Sequence, residues 1–493
     1  MDNTRPRVVV AGLRGGSGKT TLALGLIAAW QQRVGEVVPF KKGPDYIDAG
    51  WLGLAAGQPC YNLDPYMMSG EQILDSFWQH TQEAQGAVIE GNRGLFDGMD
   101  AEGSCSTAEL AKLLQAPVLL VVDGSMVTRT AAASVLGCQH FDPEVPIRGV
   151  ILNRVAGPRH EKMLRTTIEH YCHVPVVGAI PKLKEDDFPE RHMGLVTVEE
   201  HPEAREAILA RIRVVEQYLD LEKVIAIANQ APPIGWQPAS SIKRVSKAYR
   251  QPVVGVIKDS AFQFYYPENL EALEKRGARL VTVNALRDKA LPSLDALYIG
   301  GGFPETHAEQ LAANSQFRGS LKAAIEARLP VYAECGGLMY LGRSLNIEGR
   351  SYPMVEALPM DFQLEKKPQG HGYTKLEVVE NNPFYPVGIT LKGHEFHYSR
   401  VIDSDLDSNS LVFAMRRGTG ILDGKDGVCY KNALATYTHV HAIGTPEWAE
   451  GLIRKALAHQ RESKNNSERK KETWTTGKPT QGLVTGSDNK IRR

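Results

Sequence analysis

The stretch RVVVAGLRGGSGKTTLALGLIAAW, residues 7–30, runs from a valine-rich strand through a glycine loop into a helix. Three consecutive valines read as a strand with no face left for water, and Leu22, Leu26 and Ala29 recur on one side of the helix that follows. Between them stand Gly15, Gly16, Ser17, Gly18, Lys19, Thr20 and Thr21. Backbone N–H groups of such a loop, with the helix N-terminus, can surround phosphate oxygens; the Lys19 ammonium can neutralise the outer phosphates and the Thr20 hydroxyl can hold magnesium. One position departs from the usual spacing: Leu13 occupies the place of the first glycine, with Gly12 just before it.

Outward from this loop, apolar runs alternate with helical patterns at VVPF (37–40), AVIEG (87–91), PVLLVVDG (117–124), IRGVILNRV (147–155) and VPVVGAIP (174–181). Strands too apolar to face water predict a parallel sheet covered by helices on both sides, an α/β fold. A helical stretch at 201–228 closes this half, and a Pro/Ser-rich, basic connector follows. The alternation restarts with PVVGVIKD (252–259), ARLVTVNA (278–285), ALYIGGG (296–302) and LPVYAE (329–334). The expected organisation is a first α/β domain at 1–230, a linker at 231–250, a second parallel-sheet α/β domain at 251–460 and a disordered polar tail at 461–493.

The 57 Lys and Arg balance 57 Asp and Glu, so no basic field favours nucleic acid or an anionic membrane, and the partner is expected to be a small molecule. The apolar run ahead of the loop is too short for a signal peptide and no segment approaches a membrane span, which predicts a cytoplasmic protein. Six cysteines, Cys60, Cys105, Cys138, Cys172, Cys335 and Cys429, form no CxxC pair, arguing against a disulfide framework or a thiolate zinc site.

Two further stretches carry chemistry. FKKGPDYIDAGW (40–51) and AVIEGNRGLFDGMD (87–100) place Asp45, Asp48, Glu90 and Asp97 just beyond strands, where ligands gather in open α/β sheets. Thr20, Asp48 and Glu90 are candidate magnesium ligands, because magnesium takes a few hard oxygens and keeps waters. In VYAECGGLMYL (331–341), Cys335 falls on a tight strand-to-helix turn, with Leu338, Leu341 and Leu345 as the helical stripe. There a helix N-terminus favours thiolate and the Gly336 N–H can face an oxyanion. NALATYTHVHAIG (432–444) supplies His439 and His441 on one strand face as candidate bases. His394 and His397 in GHEFHYSR are three apart, not the four of HExxH zinc chemistry, and are expected in the cleft or core.

GPDYIDAGW, NLDPYM, YIGGGFPE, VYAECGGLMYL, GHEFHYSR and TYTHVH, in that order, resemble the cobyrinate a,c-diamide synthase family over nearly the whole chain except the tail. The resemblance implies a P-loop, ATP-dependent amide synthetase domain similar in fold to dethiobiotin synthetase, then a class I glutamine amidotransferase domain. It implies Cys335 as nucleophile, His439 as proton shuttle, and backbone N–H groups at Gly301, Gly302 and Gly336 as oxyanion donors. It also implies Mg2+, ATP and glutamine, with Asp45, Tyr46 and Asp97 reading a tetrapyrrole polycarboxylate that is amidated on its a and c acetates in cobalamin biosynthesis. Many class I amidotransferases carry glutamate two residues after the histidine; His441 stands there, so a Cys–His dyad is expected and an orienting role for His441 is left open. Ni-sirohydrochlorin amidation shares these motifs, whereas GPDYIDAGW argues against cobyrate synthase. A ParA/MinD-like nucleotide switch would carry lysine where Arg14 stands and has no use for the second domain. A homodimer is compatible with this reading.

Overall fold

The computed structural model describes residues 5–183, 190–191, 194–195, 197–198, 203–236, 251–406 and 410–475. Seven parallel strands form the first sheet: β1 (Arg7–Gly12), β2 (Val37–Lys42), β3 (Tyr61–Leu63), β4 (Gly86–Glu90), β5 (Val118–Asp123), β6 (Ile147–Val155) and β7 (Val176–Pro181), in the order β3-β2-β4-β1-β5-β6-β7. The crossovers are α1 (Lys19–Val34), α2 (Ile47–Ala56), α3 (Gly70–His80), α4 (Thr107–Leu113), α5 (Arg129–Phe141) and α6 (Pro158–Cys172). Val8 and Val10 pack with α1 on one face while Val9 and Ala11 pack into the core on the other, so β1 is dry on both sides. Each of the three valine side chains contributes about 1.5–3 kcal/mol of burial. A short antiparallel ladder, β8 (Glu190–Arg191) with β9 (Gly194–Leu195), precedes α7 (Ala204–Tyr218) and α8 (Leu221–Ala228).

The start of the expected linker docks onto the first half. Ala231 and Ile234 are buried, Trp236 Nε1 donates to Asp75 at 2.7 Å, and the buried Arg7 guanidinium reaches the Pro232 carbonyl at 2.7 Å. Residues 237–250 lie outside the described residues.

The second half contains β10 (Val253–Ile257), α9 (Pro267–Lys275), β11 (Arg279–Val283), β12 (Ala296–Ile299), a 3-10 turn at Pro304–His307, α10 (Ala308–Ala313), α11 (Ser315–Glu326), β13 (Val331–Glu334) and α12 (Gly336–Leu341). Nine strands follow: β14 (Ser344–Ile347), β15 (Arg350–Pro353), β16 (Met360–Leu364), β17 (Gly370–Val378), β18 (Thr390–His397), β19 (Ser399–Ser404), β20 (Leu411–Arg417), β21 (Lys425–Tyr430) and β22 (Ala433–Thr436). The two-residue β23 (His439–Val440) leads to the last helix, α13 (Pro446–Thr475). Its main sheet is mixed, ordered β11-β10-β12-β13-β22-β21-β20-β17-β18-β23. The β11 to β22 part is parallel, as expected; β21, β20, β17, β18 and β23 extend it antiparallel. A four-stranded sheet, β15-β14-β16-β19, packs beside it.

Two local readings need correction. Leu345 lies in β14, not on the helix, because α12 ends at Leu341 and Gly342 follows in extended conformation. The helical backbone of α13 continues past Arg461 to Thr475, where a polar tail is expected from sequence. Glu, Lys and Arg are strong helix formers, so lack of an apolar stripe does not end a helix already anchored by Trp448, Leu452 and Ala456. Residues 476–493 lie outside the described residues. No helix among the described residues is long and apolar enough to cross a membrane.

The carboxyl ends of the first sheet hold a buried charge cluster. Lys41 and Glu90 face each other in register on β2 and β4, and Lys41 Nζ lies 3.1 Å from Glu90 Oε1 and 2.6 Å from Asp48 Oδ2. Burial opposes the Lys41 charge, but Asp48 and Glu90 outweigh it and raise its pKa. Removing one partner of such a cluster leaves uncompensated buried charge. Lys41→Met is therefore expected to lose about 3–5 kcal/mol of stability at neutral pH in denaturant unfolding. Adding Glu90→Gln to that variant recovers part of the loss, and the deficit shrinks as pH falls, because buried carboxylates deprived of Lys41 protonate above the ordinary carboxylate range.

Candidate active site

The glycine loop leaves β1 at Gly12 and enters α1 through Gly18, whose φ of 90° is left-handed and whose Cβ position would fall 2.3 Å from Asn153 Nδ2. Only glycine fits there without strain. Asn153 Nδ2 in turn donates to the Ser17 carbonyl at 3.0 Å, holding the loop against β6. Lys19 folds back so that Nζ donates to the Arg14 carbonyl at 3.3 Å, and burial lowers its pKa. Gly15 and Gly16 lie exposed on the rim and Thr21 on the first turn of α1.

Thr20, Asp48 and Glu90 do come together. Thr20 Oγ1 donates to Glu90 Oε1 at 2.6 Å and lies 3.5 Å from Asp48 Oδ2. Burial raises the Glu90 pKa; burial also acts on Asp48, but the Lys41 charge and hydrogen bond hold it below the usual carboxylate value. Glu90 Oε2 is buried without a hydrogen-bond partner. Hard oxygen donors with an unfilled acceptor fit magnesium, whose remaining positions are normally taken by phosphates and water.

Asp45 caps α2: its Oδ1 accepts from the N–H groups of Ile47 and Asp48 at 2.8 and 3.0 Å, and burial pushes its carboxyl up to about 7. Tyr46 stacks on Phe264 of the second half, ring centroids 5.2 Å apart, and also meets Tyr266, His394 and His439. Asp97 is exposed at the mouth and accepts from the Gly94 N–H at 2.8 Å.

Cys335 follows β13 at a φ of 47°, a left-handed conformation unusual for a residue with a side chain. Its N–H donates to the Thr436 carbonyl at 2.8 Å, extending the ladder with β22, and its Sγ lies 3.8 Å from the Phe396 carbonyl. Burial, reinforced by Glu305, raises the thiol pKa, with the Gly336 N–H opposing. Burial thus works against the thiolate that the N-terminus of α12 favours. Deprotonation needs a base.

His439 is cross-strand from His394 between β23 and β18, and the rings stack 4.9 Å apart. His439 lies across Gly301, where a Cβ would fall 2.5 Å from His439 Cε1. Gly302 is packed against the Ala261 carbonyl, and a Cβ on Gly336 would stand 3.1 Å from the Gly302 nitrogen, so the three predicted glycines form one patch. His439 Nδ1 faces Glu334 Oε2 at 3.4 Å, and that oxygen accepts from Tyr298 Oη at 3.0 Å. His441 points elsewhere, 3.6 Å from Glu268 and against the Tyr266 ring. His394 and His397 diverge because residues three apart fall on opposite strand faces: His394 lines the cleft, whereas His397 stacks on Tyr437 in the core.

Lys41, Glu334 and Asp426 were not singled out by the sequence. Asp426 is fully buried and accepts from Thr436 Oγ1 (2.7 Å) and from the N–H groups of Tyr437 and Thr438 (3.1 and 3.2 Å), fixing the turn that presents His439. Lys41 and Glu334 carried a weak signal, a charge ending an apolar strand just before a motif.

The halves meet through Asn62 N–H to Glu268 (2.9 Å), Tyr373 to Asp64 (2.9 Å) and Gln72 to the Ile443 carbonyl (2.7 Å). Between them lies a cleft of about 620 Å³, lined by Asp45, Tyr46 and Asp97 from one half and by Phe264, His394 and His439 from the other.

Residues 8–196 match the CobQ/CobB/MinD/ParA nucleotide binding domain, and residues 253–446 match the CobB/CobQ-like glutamine amidotransferase domain. A protein of Magnetococcus marinus named cobyrinate a,c-diamide synthase is 45% identical over 91% of this chain and 97% of its own length. Proteins of the same name from Archaeoglobus fulgidus (41% identical, 92% of this chain, 98% of its own) and Salmonella typhimurium (37%, 89%, 95%) align comparably. At this identity and coverage, with the loop, the elbow and the late histidine all in place, the chain belongs to the cobyrinate a,c-diamide synthase family.

Proposed function

We propose that this chain amidates the a and c acetate carboxylates of cobyrinate, using ATP and ammonia drawn from glutamine, in the cytoplasm. The observation that carries the reading is the shared cleft, where Asp45, Tyr46 and Asp97 face His439 across the junction of the halves. A carboxylate is a poor electrophile. Its oxygen attacks the γ-phosphorus of ATP bound at Gly15–Thr21, releasing ADP and leaving an acyl phosphate that ammonia displaces with loss of phosphate. Lys19 offsets the charge on the transferred phosphoryl group. Thr20, Asp48 and Glu90 would hold magnesium, which supplies charge neutralisation at the phosphates.

In the other half Cys335 Sγ attacks the glutamine side-chain amide as His439 takes the thiol proton and returns it to the departing ammonia; water then hydrolyses the glutamyl thioester. Backbone N–H groups about Gly301, Gly302 and Gly336 receive the oxyanion. Glu334, not His441, is the positioning residue for His439, since its carboxylate faces Nδ1 and leaves Nε2 for proton transfer.

Purified protein given ATP, magnesium, glutamine and cobyrinate is expected to form two amides, counted by mass spectrometry, with one ATP consumed for each; no amide product would overturn the reading. Cys335→Ala is expected to abolish glutamine-driven amidation while ammonium salts still support it. Lys19→Ala should lower amidation from either nitrogen source by on the order of 10²–10³-fold and leave glutamine hydrolysis measurable. For Glu334→Gln, steady-state kinetics should show glutaminase kcat about 10–100-fold down with KM for glutamine and ammonium-driven amidation near wild type. A parallel loss of all three would mean that Glu334 only supports the fold.

A further inference from the structure

The cleft carries three cations that form no ion pair among the described residues. Lys42 ends β2, Arg93 stands in the loop after β4 and Arg417 ends β20, and all three line the cavity. Lys42 is 5% exposed, and among the described residues neither it nor Arg93 makes a hydrogen bond or ion pair. Among the described residues the Arg417 guanidinium meets the Tyr66 ring, 5.8 Å away, and no carboxylate. Lys41, one residue before, holds two carboxylates, so the absence of partners at Lys42 is a property of the cleft side of the strand.

The acids nearby are already engaged. Asp64 accepts from Tyr373 Oη (2.9 Å) and from the N–H groups of Tyr66 and Met67 (2.8 and 3.1 Å). Asp45 caps α2, Asp97 accepts from Gly94, and Glu395 accepts from the Thr419 and Gly420 N–H groups. Desolvation lowers the Lys42 pKa, with Asp64 the first of the opposing influences. A buried ammonium with no partner is costly unless an anion completes it. Aromatic rings line the same cavity: Tyr46 lies parallel to Phe264, and His371 packs on Phe396 at 4.6 Å.

Resting on the function proposed above, we propose that Lys42, Arg93 and Arg417 form a carboxylate clamp, gripping macrocycle carboxylates other than the one being phosphorylated and holding the flat ligand across the junction of the halves. The carboxylate under attack must reach the nucleotide, so the cations are left for its neighbours. A neutral amide accepts no comparable charge-assisted bond, so the clamp reads acid side chains specifically.

Equilibrium titration of cobyrinate into the full-length protein without ATP, followed by the macrocycle's visible absorbance, tests this. Each of Lys42→Met, Arg93→Gln and Arg417→Gln is expected to raise the cobyrinate Kd about tenfold or more, most for the buried Lys42. ATP affinity and glutamine hydrolysis should stay within about twofold, and the heptamethyl ester of cobyrinate should bind weakly and equally to all four proteins. If wild type binds and amidates cobyrinate but the variants bind it as tightly, or if they lose the ester to the same degree, the clamp is overturned and the function stands. If wild type neither binds nor amidates it, both fall. Should Lys42→Met lose every readout through misfolding, the two exposed arginines decide.

Discussion

One ammonium group organises the nucleotide half. Lys41 Nζ is buried between Asp48 and Glu90, and without it two carboxylates would face each other in a medium that solvates neither. That requirement fixes several elements together. β2 and β4 must pair in the register that opposes Lys41 to Glu90, α2 must begin where Asp48 falls in its first turn, and Thr20 must open α1 within reach of Glu90. The phosphate loop thus ends against a surface whose charge is already set by its own packing. Glu90 keeps one oxygen without a partner, which points the cluster at a cation arriving with the nucleotide.

The glutamine half meets a different constraint, since its nucleophile must be exposed to substrate yet held rigidly. The backbone does most of this. Cys335 is pinned by the Thr436 carbonyl at a left-handed φ, and the next turn of β22 is pinned by Asp426, so the cysteine and the segment carrying His439 are tied to the same pair of strands. Burial raises the thiol pKa, so in the proposed mechanism the reactivity of Cys335 depends on His439. Glu334 belongs to the strand that delivers Cys335, so one short segment supplies both the nucleophile and the group facing the base.

What could be read from sequence was local. The loop from Gly12 to Thr21 is recognisable because strand, glycines, lysine and helix are contiguous, and the Cys335 elbow because β13 and the glycine pair are adjacent. Lys41 and Glu334 gave only a weak signal because each acts on a residue far away in the chain, Glu90 and His439, and Asp426 gave none because its partner Thr436 is met only once the hairpin closes. The family pattern drew attention to His441, two residues beyond His439. On the strand that position instead faces Glu268 at the junction of the halves. Leu345 misled because an apolar residue four after Leu341 fits a helix and a buried strand equally well, and Gly342 decides.

The junction ties the two chemistries together physically. Tyr46 leaves the segment that supplies Asp45 and Asp48 and inserts its ring among Phe264, Tyr266, His394 and His439, so the residue proposed to read the substrate in one half is also the packing neighbour of the proposed base in the other. Tyr266 Oη donates to the Pro44 carbonyl and lies 3.3 Å from His394 Nδ1, linking the same turn to β18 by hydrogen bonds. Burial and the neighbouring His439 both oppose a charge on His394. In the proposed reaction the aromatic rings at this junction suit ammonia, which is nucleophilic only while unprotonated. The carboxylates that line the cleft, Asp45, Asp97 and Glu395, each accept from backbone N–H groups, so packing sets their orientation before any ligand arrives.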